Sequence, residues 1–401
     1  MLTGESGHST QPVEIRTDPR EVSASSKESH TMRTTPPLTS RLTSRRASSR
    51  SAQVRSRRRA RLTVPVLAAT VLSLLLGACG GGNGGDSAAG SSGRSIILIT
   101  PNPVGSNSFL QLGVKGAEAA AKEVGAEFKL YESKDPTSIA QNVDAAVRAK
   151  PTVIVGIGFN FDDVFASVPK QHPDQQFLQV DSCAQPQAPN LTCVSFKEHE
   201  AAYLAGVEAG LLTESGRIGV VAALDTPFIH RWIDPFFAGA KSVNDKVTGT
   251  PLYVGGNNPF SDPARAKAQA QTLIGRGVDV VSAAAAGGNQ GVFEAAAAAG
   301  VKAFGVDVNQ CPSSPGNVID NVLKRVDVAE TAAIKDVVEG RTGGVKVYGL
   351  AEDGVGVVAL GDDLASSQCT VASSPEVVEK VKQVRDDIVA GKIKVADPLA
   401  G

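Results

Sequence analysis

The fold is decided by residues 95–131, which read SIILITPNPVGSNSFLQLGVKGAEAAAKEVGAEFKLY. Short runs rich in β-branched and other apolar residues at 95–100 and 126–131 flank an Ala-rich, amphipathic stretch at 108–123. A strand, a helix and a second strand in this order form a βαβ unit, which belongs to a parallel sheet. This segment therefore predicts an α/β protein.

The same alternation continues along the chain. We predict further strands at 152–156, 176–181 and 192–196, helices at 137–149 and 161–170, and a long helix at 198–213. A second series then has strands at 217–222, 250–254, 278–281 and 301–306, with helices at 230–246, 262–275 and 289–299. About 310 ordered residues exceed what one hydrophobic core usually supports. The sequence thus predicts two doubly wound parallel-sheet lobes.

Residues 55–78 have the order of a signal peptide that ends in a lipobox. Arginines precede an apolar run at 62–76, and small residues lead to Cys79, the predicted lipidation site. The run is about 15 residues, shorter than the roughly 20 of a spanning helix, so a transmembrane anchor is the weaker interpretation. Residues 79–93 predict a Gly/Ser tether, and residues 1–54 a disordered or wrongly assigned extension. We therefore expect an exported protein, lipid-anchored at the extracytoplasmic face of the cell membrane.

Charge and cysteine content limit the partners. Of the 40 Lys and Arg and 41 Asp and Glu residues, 13 and 5 lie within residues 1–78, so the remainder carries a net charge of −9. This acidic surplus argues against nucleic-acid binding. Besides Cys79 the exported part has an even number of cysteines, which predicts disulfides, and we assign the pairs Cys183–Cys193 and Cys311–Cys369. Zinc is the alternative use, but no Cys-x-x-Cys or paired-histidine spacing occurs, so we predict no metal and no cofactor.

Loops after the predicted strands hold the candidate binding residues, because parallel sheets bind ligands beyond the carboxyl ends of their strands. The candidates combine aromatic faces, amides, hydroxyls, carboxylates and a glycine that permits close approach. Each also has a structural alternative, as a helix cap, a packed ring or a solvated lysine. The candidates are Ser106, Asn107, Ser108, Phe109, Asn160 and Asp181 in the first series, and Phe228, Trp232, Gly287, Asp307, Asn309 and Lys324 in the second.

Catalytic signatures do not appear. The chain has no Gly-x-Ser-x-Gly elbow, no Walker loop and no His-Glu-x-x-His pair. The stretch Gly156-Ile-Gly158-Phe159-Asn160-Phe161 begins like a dinucleotide-binding loop but has Phe161 in place of the third glycine. The sequence predicts a binding protein rather than an enzyme.

Motifs spread over residues 94–370 carry a family resemblance. In chain order they are Val180-Asp181, VSFKEHEAAYLAGVEAG at 194–210, GRIG at 216–219, FAGAK at 237–241, DPARAK at 262–267, Gly305-Val-Asp307 with Gln310, VLKRVD at 322–327 and GLAEDGVG at 349–356. Together they resemble the basic membrane protein (BMP) family, the PnrA-like substrate-binding lipoproteins of ABC transporters.

The resemblance implies a type I periplasmic-binding-protein fold, with three crossovers between the lobes and a purine nucleoside in the cleft. The first lobe would comprise 94–198 plus about 325–344, and the second 199–324 plus about 345–401, with hinges near 197–200, 322–325 and 342–346. Phe109 would stack on the base, Asp181 would contact the base or hold the pocket, and Asp307 with Lys324 would address the ribose.

This chain departs from the family pattern at the binding lip. An Asp-x-Ser-Phe-Asn motif becomes Ser106-Asn-Ser108-Phe109-Leu110, the aspartate that commonly ends the first strand falls near Thr100 or Pro101, and the second acid after Asp307 becomes Asn309. Neutral groups make weaker hydrogen bonds than carboxylates. A sugar, a modified nucleoside or a carboxylated metabolite is therefore an alternative ligand.

Three functions remain open from the sequence. The first is a monomeric solute receptor that delivers its ligand to the permease and ATPase subunits of an ABC importer. The second is a ligand-sensing surface lipoprotein without transport, and the third is an exported α/β enzyme.

Overall fold

The structure is a computed structural model that describes residues 93–400. The predictions for the N-terminal extension, the signal peptide, Cys79 and nearly all of the tether lie outside these residues. Between residues 93 and 400, no helix combines the length and apolar character needed to cross a bilayer.

Twelve strands of the described region build two six-stranded sheets. The strands are β1 (Ser95–Thr100), β2 (Glu127–Glu132), β3 (Val153–Ile157), β4 (Phe177–Val180), β5 (Leu191–Phe196), β6 (Arg217–Ala222), β7 (Thr248–Tyr253), β8 (Val280–Ala284), β9 (Lys302–Asp307), β10 (Val318–Lys324), β11 (Val345–Tyr348) and β12 (Val355–Val357). The first sheet has the order β11-β5-β4-β3-β1-β2, and the second β12-β10-β9-β8-β6-β7. Only β10 and β12 pair antiparallel among these strands.

Eleven α-helices of the described region connect and cover the strands. They are α1 (Ser108–Val124), α2 (Pro136–Ala149), α3 (Asp162–Phe165), α4 (Val168–Gln171), α5 (Glu198–Leu212), α6 (Pro227–His230), α7 (Asp234–Val243), α8 (Pro263–Gly275), α9 (Asn289–Ala299), α10 (Val326–Val338) and α11 (Pro375–Val389). The predicted α/β class and the type I arrangement of two parallel-dominated lobes are confirmed.

The first βαβ unit shows how sequence dictates local structure. Ile96 to Ile99 of β1 are completely or almost completely buried because helices cover both faces of the sheet, and each such side chain contributes roughly 1.5–3 kcal/mol. The side chain of Asn107 caps α1 by accepting from the Leu110 N–H. Gly125 ends the helix at a φ of 67°, a left-handed conformation that glycine adopts without a Cβ clash.

Two predicted helices are shorter than expected, and both differences trace to proline. The segment 161–170 divides into α3 and α4, with Pro169 in the first turn of α4. The segment 230–246 forms only α7, with Pro235 in its first turn, and the short helix α6 precedes it. Proline lacks an N–H and clashes with the preceding turn, so it starts a helix more readily than it continues one.

The chain crosses between the lobes three times. It leaves the first sheet at Lys197 between β5 and α5, and returns at Arg325 between β10 and α10. The third crossing corrects the predicted boundary near 344 and the predicted hinge at 342–346: β11 pairs with β5, so 345–348 belong to the first lobe and 349–354 form the crossing. The hydrophobic pattern did not predict β11, because this short edge strand has Val345 and Val347 exposed rather than buried.

Candidate functional site

A cavity lies between the two lobes, where the carboxyl ends of the strands face each other, the position expected for a ligand in this topology. Apolar and aromatic side chains make up most of its wall, with a few polar groups among them. Its lining residues are Pro101, Asn102, Asn107, Phe109, Leu110, Gly158, Phe159, Asn160, Asp181, Phe228, Ile229, Trp232, Phe260, Ala284, Ala286, Val306, Asp307 and Lys324.

Aromatic rings from both lobes meet across this cavity. The ring centroid of Phe159 lies 5.1 Å from that of Phe228 and 6.2 Å from that of Phe260, and Phe228 lies 5.5 Å from Trp232. Phe159 follows β3 in the first lobe, whereas the other three belong to the second. Such distances are those of favourable tilted aromatic pairs, and the rings form a wall suited to a flat, partly apolar ligand.

Lys324, the last residue of β10, is the central cation of the site. Its side chain is 2 % exposed, and its ammonium contacts the Asp181 carboxylate and lies 2.8 Å from Glu198 Oε1. The rings of Phe109, Phe196, Phe228 and Trp232 surround it with centroids 4.9–5.7 Å from Nζ. Carboxylates and ring faces replace the water lost on burial, so the ammonium remains charged.

Asp181 is the principal counter-ion of Lys324. It follows β4 with a φ of 86°, an uncommon left-handed conformation for a residue other than glycine. Burial raises its pKa to about 7, although Lys324 opposes that shift by favouring the ionised carboxylate. The Glu198 carboxylate acts in the same direction as burial. The protonation of Asp181 is therefore sensitive to any change in the charges around it.

Asp307 occupies the corresponding end of β9, with a φ of 71°. Burial also raises its pKa, while Lys324 opposes the shift. Ser108 Oγ donates to Asp307 Oδ2 at 3.2 Å, the one hydrogen bond that this carboxylate accepts among the described residues. A carboxylate has about four acceptor positions, so Asp307 retains capacity to accept from a ligand in the cavity.

The structure brings together most of the sequence-predicted residues. Asn107, Phe109, Asn160, Asp181, Phe228, Trp232, Asp307 and Lys324 line the cavity. Ser108 is not among the lining residues but donates a hydrogen bond to Asp307. Ser106 and Gly287 are not among the lining residues either. They lie beside each other, and a Cβ on the glycine would stand 3.2 Å from the serine Oγ and from the Phe260 carbonyl oxygen.

Asn309 is a correction, because its amide serves the surrounding loops rather than the cavity. Its Nδ2 donates to the Ser367 carbonyl at 3.0 Å, and its Oδ1 accepts from the Cys311 N–H at 3.0 Å. The Lys324 ammonium contacts Asp181 and Glu198, and the ribose-binding roles of Asp307 and Lys324 stay predictions.

Sequence reasoning missed the buried residues behind the cavity. Glu198 and Arg231 are 0 % and 8 % exposed and contact each other at 2.8 Å. Two of the missed residues could have been predicted from the sequence. Glu198 lies in the family motif at 194–210, and Phe159 lies in the loop after β3, where binding residues were expected. Phe260 and Arg231 carried no such signal, because nothing local distinguishes them from other loop residues.

Both predicted disulfides form. Cys183–Cys193 joins the loop after β4 to β5, and Cys311–Cys369 joins the loop after β9 to the segment before α11. Cys183 and Cys311 lie shortly after Asp181 and Asp307, so each disulfide ties the loop that follows one of these aspartates to another segment. Across residues 93–400, no three His, Cys, Asp or Glu side chains are grouped to hold a metal ion.

Comparisons with known proteins agree with this geometry. The family described as "ABC transporter substrate-binding protein PnrA-like" matches residues 94–397. The chain is 29 % identical to the ABC transporter nucleoside-binding protein BmpA of Lactococcus lactis, over 82 % of this chain and 98 % of that one. It is 30 % identical to the CD4+ T-cell-stimulating antigen of Listeria monocytogenes, over 81 % and 95 %.

Solved structures show the same fold. An ABC transporter solute-binding protein from Aeropyrum pernix superposes with a TM-score of 0.66 at 28 % identity, covering 76 % of this chain and 94 % of that one. A solute-binding protein from Mycobacterium smegmatis with bound glycerol superposes with a TM-score of 0.54 at 18 % identity, covering 66 % and 93 %, a likeness of fold alone. Proteins of this kind bind a small ligand, work with permease and ATPase subunits, and are not enzymes. The chain belongs to the PnrA-like (BMP) family of ABC transporter substrate-binding proteins.

Proposed function

We propose that this protein binds a purine nucleoside between its lobes and delivers it to the permease of an ABC importer. The observation that carries the proposal is the combination, in one cavity, of aromatic rings from both lobes with the incompletely paired Asp307 carboxylate. Rings complement a flat base, and a carboxylate complements a ribose diol, whose buried hydroxyls need acceptors.

The proposed roles follow the observed contacts. Phe109 and the aromatic residues of the second lobe enclose the base, and Asn160 donates to or accepts from its edge. Asp307 accepts from a ribose hydroxyl. Lys324 has three N–H groups. One donates to Asp181, and Glu198 Oε1 forms an ion pair at 2.8 Å without a hydrogen bond, so an N–H group remains to donate to the ligand. Asp181 accordingly holds the lysine rather than the base.

One relative supports this choice of ligand by its description as a nucleoside-binding protein. The departures at the lip modify it, because Leu110 adds apolar surface at the cavity. Fewer carboxylates at the base edge favour a base that stacks well and needs few charged hydrogen bonds. A sugar is the competing ligand and lacks the flat face that the rings complement.

We propose in addition that Cys79 carries the lipid that holds the protein at the extracytoplasmic membrane face, as a monomer. Relatives from Pyrococcus horikoshii and Pyrococcus abyssi are described as lipoproteins. The crossings at Lys197, Arg325 and 349–354 would serve as hinges that close the lobes on the ligand. The closed form would then signal occupancy to the permease.

The decisive experiment identifies the ligand and tests Asp307. The purified protein is denatured, released small molecules are identified by mass spectrometry, and nucleosides and sugars are titrated by calorimetry. We expect a purine nucleoside to bind and Asp307→Asn to weaken it by roughly 10- to 100-fold, the loss of one charged hydrogen bond. Exposed Asp362→Asn is the matched control and should bind normally. Binding of sugars but no nucleoside, or an unchanged affinity in Asp307→Asn, would refute the proposal.

A further inference from the structure

The C-terminal segment returns from α11 to the back of the cavity and ends against a buried arginine. Asp397 accepts from Arg231 Nε at 2.8 Å and from Arg231 Nη2 at 2.5 Å, a bidentate pair. It also accepts from the Leu399 N–H at 3.0 Å. Partial burial would raise the pKa of Asp397, but the hydrogen bonds from Arg231 and Leu399 lower it to about 2. The contact therefore persists over the whole physiological pH range.

Arg231 connects this segment to the first crossing between the lobes. Its Nη1 donates to the Phe196 carbonyl at 2.7 Å and to Glu198 Oε2 at 2.8 Å. Phe196 is the last residue of β5 and Glu198 the first of α5, so one guanidinium holds the chain on both sides of Lys197. The arginine lies on the turn between α6 and α7, directly before the cavity residue Trp232.

Glu198 completes the connection to the cavity. It is fully buried, and its second oxygen, Oε1, lies 2.8 Å from Lys324 Nζ. A continuous series of ion pairs therefore runs from Asp397 through Arg231, Glu198 and Lys324 to Asp181. Without Asp397, Glu198 would be the one carboxylate paired with Arg231 among the described residues. A stronger attraction between Arg231 and Glu198 would then weaken the contact of Glu198 with the Lys324 ammonium.

We infer that Asp397 is a positioning residue for the ligand cavity, acting through Arg231 and Glu198 to fix the Lys324 ammonium. The C-terminal segment is thus part of the binding apparatus rather than only a cover for the core. Its effect on ligand affinity rests on the proposed function, whereas its effect on Lys324 and Trp232 does not.

Trp232 supplies a readout that needs no ligand. It is the single tryptophan of the chain, and Lys324 Nζ lies 5.0 Å from its ring centroid. Displacement of the ammonium changes the field at the indole and its access to water. Emission maximum and acrylamide quenching of the intrinsic fluorescence therefore report on the position of Lys324.

The test compares Asp397→Asn with Asp386→Asn, an exposed control on α11 whose carboxylate pairs with its neighbour Arg385. Asp397→Asn should shift the Trp232 emission and increase quenching, while the control matches the wild type. Asp397→Asn should also lower the affinity for the nucleoside found by titration by roughly tenfold, which corresponds to the loss of a charged hydrogen bond. Asp397→Glu should restore the signal in large part, because it returns the charge.

A combined variant separates positioning from simple stabilisation. If Asp397 acts through Glu198, then Asp397→Asn changes the Trp232 signal much less in a Glu198→Gln background than in the wild type. Arg231→Lys, which keeps the charge but loses the bidentate geometry, should reproduce the Asp397→Asn spectrum and serves if that variant fails to fold. A lowered melting temperature with wild-type emission, or equal shifts in both backgrounds, would overturn the inference. If no nucleoside binds, the proposed function fails, but the fluorescence results still decide whether Asp397 positions Lys324.

Discussion

The two lobes place an aspartate at the same point of the same fold and use it differently. β4 and β9 occupy equivalent positions in sheets of matching order, and each is followed or ended by an aspartate in the left-handed region, Asp181 and Asp307. Asp181 is taken up by the Lys324 ammonium, whereas Asp307 accepts from Ser108 alone among the described residues. Equivalent backbone geometry therefore yields a structural counter-ion in one lobe and a carboxylate available to ligand in the other.

The difference arises from where the lysine enters the site. Lys324 ends β10, the strand beside β9, yet its ammonium contacts Asp181 of the first lobe and Glu198, the first residue of α5 directly after the first crossing. The ammonium therefore forms its ion pairs with two carboxylates other than Asp307. Each lobe can be perturbed separately to test this division.

The largest effect is expected from Lys324→Met. The substitution leaves Asp181 and Glu198 buried without their cation, and breaking a buried ion pair in this way typically costs about 3–5 kcal/mol. Urea unfolding should show this loss in the free energy of unfolding. Lys335→Met, which removes an exposed lysine of α10 paired with Glu123, is the control and should change stability little. Equal stability of the two variants would show that the ammonium is not what holds the site together.

A second contrast concerns buried acids outside the cavity. In the second lobe, Asp320 of β10 accepts from the Val358 and Ala359 N–H groups at 2.8 Å, so this buried carboxylate has backbone donors. Its neighbour Glu208 of α5 has none among the described residues. In the first lobe, Glu330 of α10 is fully buried, and neither of its carboxyl oxygens has a hydrogen-bond partner among the described residues. Burial raises the pKa of Glu330 well above its usual value, with a smaller contribution from Asp327.

Glu330→Leu should therefore stabilise the protein by about 1–3 kcal/mol, since it removes an unpaired buried polar group. The benefit should grow with pH. A raised folded-state pKa makes the contribution of Glu330 most favourable below about pH 4.5, its unfolded value, and this contribution is lost as pH rises through the folded-state pKa. Urea unfolding at pH 4.5 and pH 8 tests this, with exposed Glu118→Gln as the control. A gain that is the same at both pH values would contradict it.

The smallest effect is expected at the lip of the second lobe. His230 contacts Asp225 at 2.9 Å, Asp234 at 3.1 Å and the Tyr253 hydroxyl at 3.3 Å, whereas the first-lobe lip at 101–107 contains no histidine. The Asp225 hydrogen bond is the main reason that the pKa of His230 is raised, against a lowering by burial. The stabilisation is present below about pH 6.5 and is lost as pH rises through the raised folded-state value.

His230→Gln should accordingly lower stability by about 1 kcal/mol or less at pH 6, because the cluster is largely solvated. Thermal unfolding at pH 6 and pH 9 is the measurement, and exposed His172→Gln is the control. The difference in melting temperature between the wild type and His230→Gln should disappear at pH 9. A difference that persists at pH 9 would mean that the imidazole stabilises the protein by packing rather than by ion pairing with the aspartates.

Local pattern accounted for much of the fold and part of the site. Nine strands from β1 to β9 and the helices between them were predictable because burial imposes a period of two or 3.6 on the sequence. The strand ends indicated Asp181 and Asp307, and the even cysteine count led to both disulfides. β10 to β12, α10 and α11 were not predicted. The third crossing was misplaced because β11 is a short edge strand that buries little.

By itself, the sequence determined the α/β class, the alternation of elements and the chemistry offered at the strand ends, since these depend on neighbours within a few residues. Only the tertiary structure decided which of those groups meet. Asp397 and Arg231 are 166 positions apart, and Lys324 and Asp181 are 143 apart. The pairing of a buried charge depends on which distant partner excludes water from it, and no local periodicity records that choice.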